Sequence, residues 1–174
     1  MTLICAKLWT TGKIFVANLF RGKLGEDGSA LLGSLLSTQF ELAALSRTEI
    51  PLEQRRDFSP YVDEFPTLAS ASFTGMLSES RKFKLSLVLA MQYIEQLEEH
   101  VRNALFENVG TLIVFRVGPE SARWLPQFAP VLSKEDLMNL GRYRIYLKLM
   151  IDGIPSQPFS GRTLPPVRTR EMGL

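Results

Sequence analysis

Apolar and polar positions change period several times along the 174 residues. Lys13 to Leu19 (KIFVANL) is rich in β-branched and aromatic residues and is bounded by Gly12 and the glycine-bearing stretch Arg21 to Gly28. That pattern predicts a buried strand followed by a loop. From Ser29 to Ser46 the residues Leu31, Leu32, Leu35, Leu36, Leu42 and Leu45 recur at helical spacing, with Ser29 or Asp27 as N-cap. The charged stretch Arg47 to Asp57, interrupted by Pro51, predicts a surface loop.

Further on, Phe58 to Glu64 is a short apolar approach that ends in paired acids. A helix is expected from about Ser70 to Phe83, then a strand over Leu85 to Met91, which together make a β-α-β unit. A second helix is expected from about Ile94 to Phe106, with Glu95, Glu98 and Glu99 toward solvent, and Gly110 opens a strand over Thr111 to Val117. Pro119 to Phe128 and Ser133 to Leu140 predict short helices, the second capped by Ser133. Trp124 and Phe128, four apart, share one helical face if Pro126 lets the helix continue, and are expected to be packing residues rather than a base-stacking platform. Arg144 to Met150 alternates as a half-exposed strand does, and Gly153 with Pro155 turns the chain into a last extended stretch. Strands alternating with helices imply an α/β fold, a mostly parallel sheet with helices on both faces. Ligands of such sheets sit at the carboxyl ends of the strands, where Asp63, Glu64, Gln92 and Arg116 fall.

Composition narrows this without redirecting it. With 45% hydrophobic and 22% charged residues, the chain is neither a disordered tail nor a collagen, and one core is expected to span residues 1–164, with 165–174 as a flexible tail. The formal charge of +2 is too small to indicate nucleic-acid binding by net field. Local clusters at Arg21 to Lys23, Arg55 and Arg56, and Arg142 to Arg144 are candidates for a DNA channel or for solvated loops. One cysteine and one histidine make no zinc-ligand cluster, and the lone Cys5, expected to be inert, implies a reducing compartment. Met1 to Thr10 lacks the features of a signal peptide, and no apolar run reaches the ~20 residues of a membrane span.

The chemistry-bearing residues cluster around the paired acids. Tyr61-Val62-Asp63-Glu64-Phe65 has the form of a Walker B strand: the first acid can hold Mg²⁺ through its waters and the second can polarise an attacking water. The alternative is an acidic pair that merely begins a turn. Gln92, at the end of the next strand, suits a γ-phosphate sensor, or else an amide capping the following helix. Arg81, with Lys82 and Lys84, either complements a helix dipole or acts as an arginine finger on a neighbouring subunit's nucleotide. Arg116, near a strand end, must be paired or face a polar cleft. His100 lies among glutamates and is expected in solvent. The phosphate loop Gly-x-x-x-x-Gly-Lys-Ser/Thr does not occur in the sequence.

Taken together, Gly12-Lys-Ile-Phe-Val-Ala-Asn-Leu with Gly22-Lys-Leu-Gly-Glu, Tyr61-Val-Asp-Glu-Phe, Leu77-Ser-Glu-Ser-Arg-Lys-Phe, Leu89-Ala-Met-Gln-Tyr and Phe115-Arg-Val-Gly resemble the C-terminal half of the motor domain of TraG/TraD-type conjugative coupling proteins. These are RecA-like ATPases of the HerA/FtsK class. The resemblance runs from about Gly12 to Leu164. It implies a partial RecA-like P-loop NTPase fold with a C-terminal hairpin-like extension. By the same resemblance Asp63 and Glu64 are the Walker B acids, Gln92 the sensor, Arg81 the finger, and Asp63, Gln92 and Arg116 the contacts to ATP and Mg²⁺.

The resemblance also implies a hexameric, DNA-translocating parent that works with secretion or relaxosome proteins in the cytoplasm or at the inner-membrane face. Met91 stands where the family pattern has a polar residue. With no Walker A segment, the expectation for this polypeptide alone is neither tight ATP binding nor hydrolysis, together with exposed apolar surface and self-association. Two other expectations stand beside it: a non-enzymatic α/β remnant that docks on intact motors, and a binding domain of another class.

Overall fold

A computed structural model describes residues 8–69, 71–129 and 131–166, so Cys5, the start of the first segment and residues 167–174 of the expected tail lie outside the described residues. The chain divides into two units between Asn108 and Val109.

The first unit opens with a helical turn over residues 8–11, and residues 13–20 then follow without regular structure. The buried strand expected over Lys13 to Leu19 is not formed: Ile14 is 93% and Val16 83% exposed. Strand propensity is realised only against a hydrogen-bonding neighbour, and no strand among the described residues pairs with this one. Helix α1 (Arg21–Leu45) begins inside the stretch expected to be a loop, after Phe20 as N-cap, and Gly25 breaks its regularity at φ 73° and ψ 168°, a conformation that suits glycine alone. Neither Asp27 nor Ser29 caps it; the Ser29 hydroxyl instead donates to the Leu19 carbonyl at 2.6 Å.

The buried face of α1 also differs from the expected one. Its buried residues are the small ones, Ser29, Gly33, Ser37, Ala43 and Ala44, whereas Leu31, Leu32, Leu35, Leu42 and Leu45 are exposed. Close approach favours the choice: a Cβ on Gly33 would come within 2.0 Å of the Leu68 Cδ2, so a larger residue there would require the Leu68 side chain or the helix to shift.

Strands β1 (Tyr61–Val62) and β2 (Val88–Leu89) pair in parallel, Tyr61 opposite Val88. Helix α2 (Ala71–Glu79) and a 3₁₀ turn over Ser80–Phe83 connect them. The expected β-α-β unit is therefore present, with shorter strands, extended by a bridge between Phe58 and Leu85 and by bonds from Ala90 N–H to the Val62 carbonyl and from Phe65 N–H to the Ala90 carbonyl. A 3₁₀ turn over Ile94–Gln96 precedes α3 (Glu99–Asn108), and Glu95, Glu98, Glu99 and His100 are exposed as expected. Trp9, Phe65, Phe73, Met76, Phe83 and Val101 are core residues, each buried side chain stabilising by about 1.5–3 kcal/mol. Phe65 meets Phe73 edge to face at 5.0 Å, and Trp9 stacks on Phe58 at 4.8 Å.

The second unit is an antiparallel sheet with two short helices. Its sheet order is β3 (Leu112–Val114), β4 (Arg144–Lys148), β7 (Phe159–Arg162). The strand expected over Thr111 to Val117 is thus shorter and antiparallel to its partner, because the alternating β4 offers it a complete ladder from Leu112–Lys148 to Val114–Tyr146. Strands β5 (Met150–Ile151) and β6 (Ile154–Pro155) form a hairpin through Asp152 (φ 51°) and Gly153 (φ 81°), both left-handed as a tight hairpin turn requires.

The expected helix over Pro119 to Phe128 breaks in two, α4 (Pro119–Arg123) and a 3₁₀ turn over Pro126–Phe128, since proline cannot continue a helix. Phe128 is consequently buried while Trp124 remains 38% exposed. Helix α5 (Lys134–Met138) starts at Ser133 in a reciprocal capping box with Asp136. Two bonds from Ser133, backbone first and then hydroxyl, hold the Asp136 carboxylate below its ordinary pKa. Among the described residues, no helix is long and apolar enough to cross a membrane.

Candidate functional site

The parallel pair ends where the chemistry was expected. Beyond β1, Asp63 and Glu64 leave the strand, and the Asp63 carboxylate accepts the Glu64 N–H at 3.0 Å. Glu64 adopts left-handed backbone (φ 51°, ψ 47°), unusual for a residue with a Cβ, and fully buried Phe65 anchors the chain just after it. Beyond β2, the Gln92 side-chain amide donates to the Glu64 carboxylate at 2.8 Å. Two residues 28 positions apart thus meet because adjacent parallel strands deliver their carboxyl ends to one place. Asp63, Glu64 and Gln92 are all exposed.

Beside this pair lies an open cleft of about 1250 Å³, bordered by Ile14, Phe15, Tyr61, Asp63, Glu64 and Gln92. It is predominantly apolar on the side of the unpaired segment, a feature invisible to a sequence reading that made that segment a paired strand. No group of three or more His, Cys, Asp or Glu side chains that could hold a metal ion occurs among the described residues. An exposed acidic pair nonetheless suits Mg²⁺, which keeps several waters and takes only one or two carboxylates when phosphates supply the other oxygens.

Arg81 lies in the 3₁₀ turn after α2, exposed, and its side chain makes no hydrogen bond or ion pair among the described residues. It is not joined to Asp63, Glu64 or Gln92. Lys82 pairs with Glu79 at 3.4 Å. Arg116 belongs to the second unit, follows β3 and is exposed, which corrects its expected place at a buried strand end: β3 stops at Val114, two residues earlier.

Two arginines stand out that the sequence placed in a surface loop. Arg47 is 5% exposed, stacks over Trp9 at 4.2 Å and donates from Nη1 to the Phe83 carbonyl at 2.9 Å. Burial lowers its pKa, the positive charge of Arg55 adds to that, and Asp57 opposes it. Arg55 donates to the carbonyls of Ile50 (2.7 Å), Thr48 (3.2 Å) and Lys82. Arg56 donates to the Thr10 carbonyl at 3.4 Å, and Arg21 to Thr67 at 2.6 Å and Glu26 at 3.4 Å. The sequence signal was three cations, Arg47, Arg55 and Arg56, spread around a helix end and a proline turn, which is also how solvated loops look.

Residues 59–143 match a family model described as the TraM recognition site of TraD and TraG. This region of the chain is of the TraG/TraD type. The structure is similar to plasmid coupling protein TrwB, solved with the non-hydrolysable GTP analogue GDPNP, at TM-score 0.56 and 17% identity over 75% of this chain and 37% of that one. It is similar at the same TM-score to TrwB with ADP and Mg²⁺. The genome packaging NTPase B204 of Sulfolobus turreted icosahedral virus 2, solved with AMPPCP, aligns at TM-score 0.53 and 14% identity over 79% of this chain and 63% of that one. The chain therefore spans less than two thirds of these proteins and shares their fold over that part, a partial α/β arrangement. No curated protein matches it.

Proposed function

We propose that the chain, over residues 1–164, is the C-terminal part of a coupling-protein-type ATPase of conjugation or type IV secretion, and that it contributes its acids, sensor and finger to a nucleotide site whose phosphate loop comes from another segment. The observation that carries this proposal is the Gln92–Glu64 hydrogen bond of 2.8 Å at the carboxyl ends of adjacent parallel strands. A base and a γ-phosphate sensor need that adjacency, whereas a Gln92 that merely capped the next helix would turn its amide toward the helix start.

In the completed site Asp63 holds Mg²⁺ through water, Glu64 polarises the attacking water, and Gln92 reports whether triphosphate is present. Arg81 reaches the nucleotide of a neighbouring copy. Mg²⁺, if bound there by Asp63 through water, would supply neutralisation of phosphate charge. The parent works as a hexamer on DNA, in the cytoplasm or against the inner membrane. The test is ATP turnover by the chain combined with a TraG/TraD-type segment that carries the phosphate loop. Glu64→Gln should lower kcat by two orders of magnitude or more while Mg-ATP affinity stays within about threefold. Undiminished turnover in Glu64→Gln would remove Glu64 from the role of base.

A second reading has its own support in the description of the matching family as a TraM recognition site. On that reading the chain is a docking module for a TraM-like relaxosome protein and needs no nucleotide. Binding of such a protein with equal affinity in the presence and absence of ATP would favour it.

A further inference from the structure

Immediately after Arg81, three consecutive main-chain carbonyls are tied to one stretch of chain. The Lys82 carbonyl accepts from Arg55, the Phe83 carbonyl from Arg47 at 2.9 Å, and the Lys84 carbonyl from the Phe58 N–H at 3.0 Å. The Arg81 carbonyl itself accepts the Lys84 N–H at 3.3 Å, and Lys84 is left-handed (φ 54°), so the turn reverses sharply within four residues. Phe83 packs beneath the Arg55 guanidinium at 5.7 Å, and Trp9 beneath that of Arg47 at 4.2 Å.

We propose that Arg47 and Arg55 are positioning residues that fix the backbone from which Arg81 projects. The inference rests on the finger role given to Arg81 above. A 3₁₀ turn of four residues has weak intrinsic hydrogen bonding, and alone it would let a long side chain sweep a wide arc. Guanidinium groups are suited to bracing it. They stay charged, offer several donors in a rigid plane, and form charge-assisted bonds to carbonyls that are stronger than neutral ones. Burial sharpens the effect for Arg47, whose Nε has no hydrogen-bond partner among the described residues, so its orientation is set by Trp9 and the Phe83 carbonyl. A finger held this way loses less freedom when it meets a phosphate across a subunit boundary, and it contributes correspondingly more to the transition state.

Two measurements test this. In the chain alone, Arg55→Gln should speed amide exchange at Lys84 by tenfold or more with the melting temperature little changed; exchange as slow as in the unaltered chain overturns the proposal. Arg47→Lys serves as the second variant, conserving charge while losing the planar fork. In the assembly with the phosphate-loop segment, Arg55→Gln should lower kcat tenfold or more at unchanged Mg-ATP affinity. The double variant with Arg81→Ala should be no slower than Arg81→Ala by itself, because Arg55 acts only through Arg81. Independent, additive losses overturn the positioning role and leave the finger in place. An Arg81→Ala variant at full speed removes the finger, and the positioning role falls with it.

Discussion

In the second unit, main-chain bonds join the elements: β3 and β4 share a ladder from Leu112–Lys148 to Val114–Tyr146, β5 and β6 are joined by Asp152 and Gly153, and α5 is capped by the serine that precedes it. In the first unit, the ties that shape the site are side chains reaching far along the chain. Trp9 bonds to the Arg56 carbonyl 47 residues away, Arg47 to Phe83 across 36, and Gln92 to Glu64 across 28. A ladder of several main-chain bonds survives the change of one side chain, while a tie made by a single side chain is lost with it and passes the loss on to whatever it positions. The candidate site lies in the unit of the second kind, so its geometry is sensitive to residues that never approach nucleotide.

The largest effect that would sharpen this contrast comes from the small-residue face of α1. Gly33→Leu forces the helix or the Leu68 side chain to shift and should destabilise the first unit by about 1–3 kcal/mol, measurable as a lowered denaturation midpoint together with accelerated amide exchange at Glu64 and Gln92. Exchange in α5 should stay as it was. Spread of the effect into the second unit would break the comparison.

A smaller, confined effect is expected of Ser133→Ala, about 1 kcal/mol, read as faster exchange in α5 with none at Lys84. The same cap fixes the sign of a pH dependence. The Asp136 pKa is lowered in the folded chain, so its contribution is complete above the unfolded carboxylate value of about 4 and is lost as pH falls through the folded value. Exchange in α5 should therefore accelerate in acid, and Ser133→Ala should show less of that acceleration. The smallest effect belongs to the unpaired segment: Ile14→Ser removes a side chain that is already 93% exposed and should shift stability by no more than about 0.5 kcal/mol. A shift of several times that size would mean that Lys13 to Leu19 is paired in solution.

These differences also explain what the sequence could disclose. The Ser133 cap, the alternation of Arg144 to Lys148 and the Gly153 turn are encoded within a few residues, and the structure has all three. Asp63, Glu64 and Gln92 were legible as a set because a β-α-β unit converts distance along the chain into adjacency of strand ends. The leucines of α1 were misleading, since their period marks an apolar face without saying whether that face or the small-residue face meets the body. The strand at Lys13 to Leu19 failed for want of a partner, and burial of Arg47 depends on Trp9 and Phe83, neither of which its own neighbourhood names.

The central claim is that the acids and sensor gathered at Glu64 serve a nucleotide only when a phosphate loop is supplied. Its most direct test is equilibrium Mg-ATP binding by calorimetry, to the chain alone and to the chain with a TraG/TraD-type segment carrying Gly-x-x-x-x-Gly-Lys-Ser/Thr. The account predicts binding only in the second case, weakened when Asp63 is replaced by Ala. Tight binding to the chain alone, or none in either case, would contradict it.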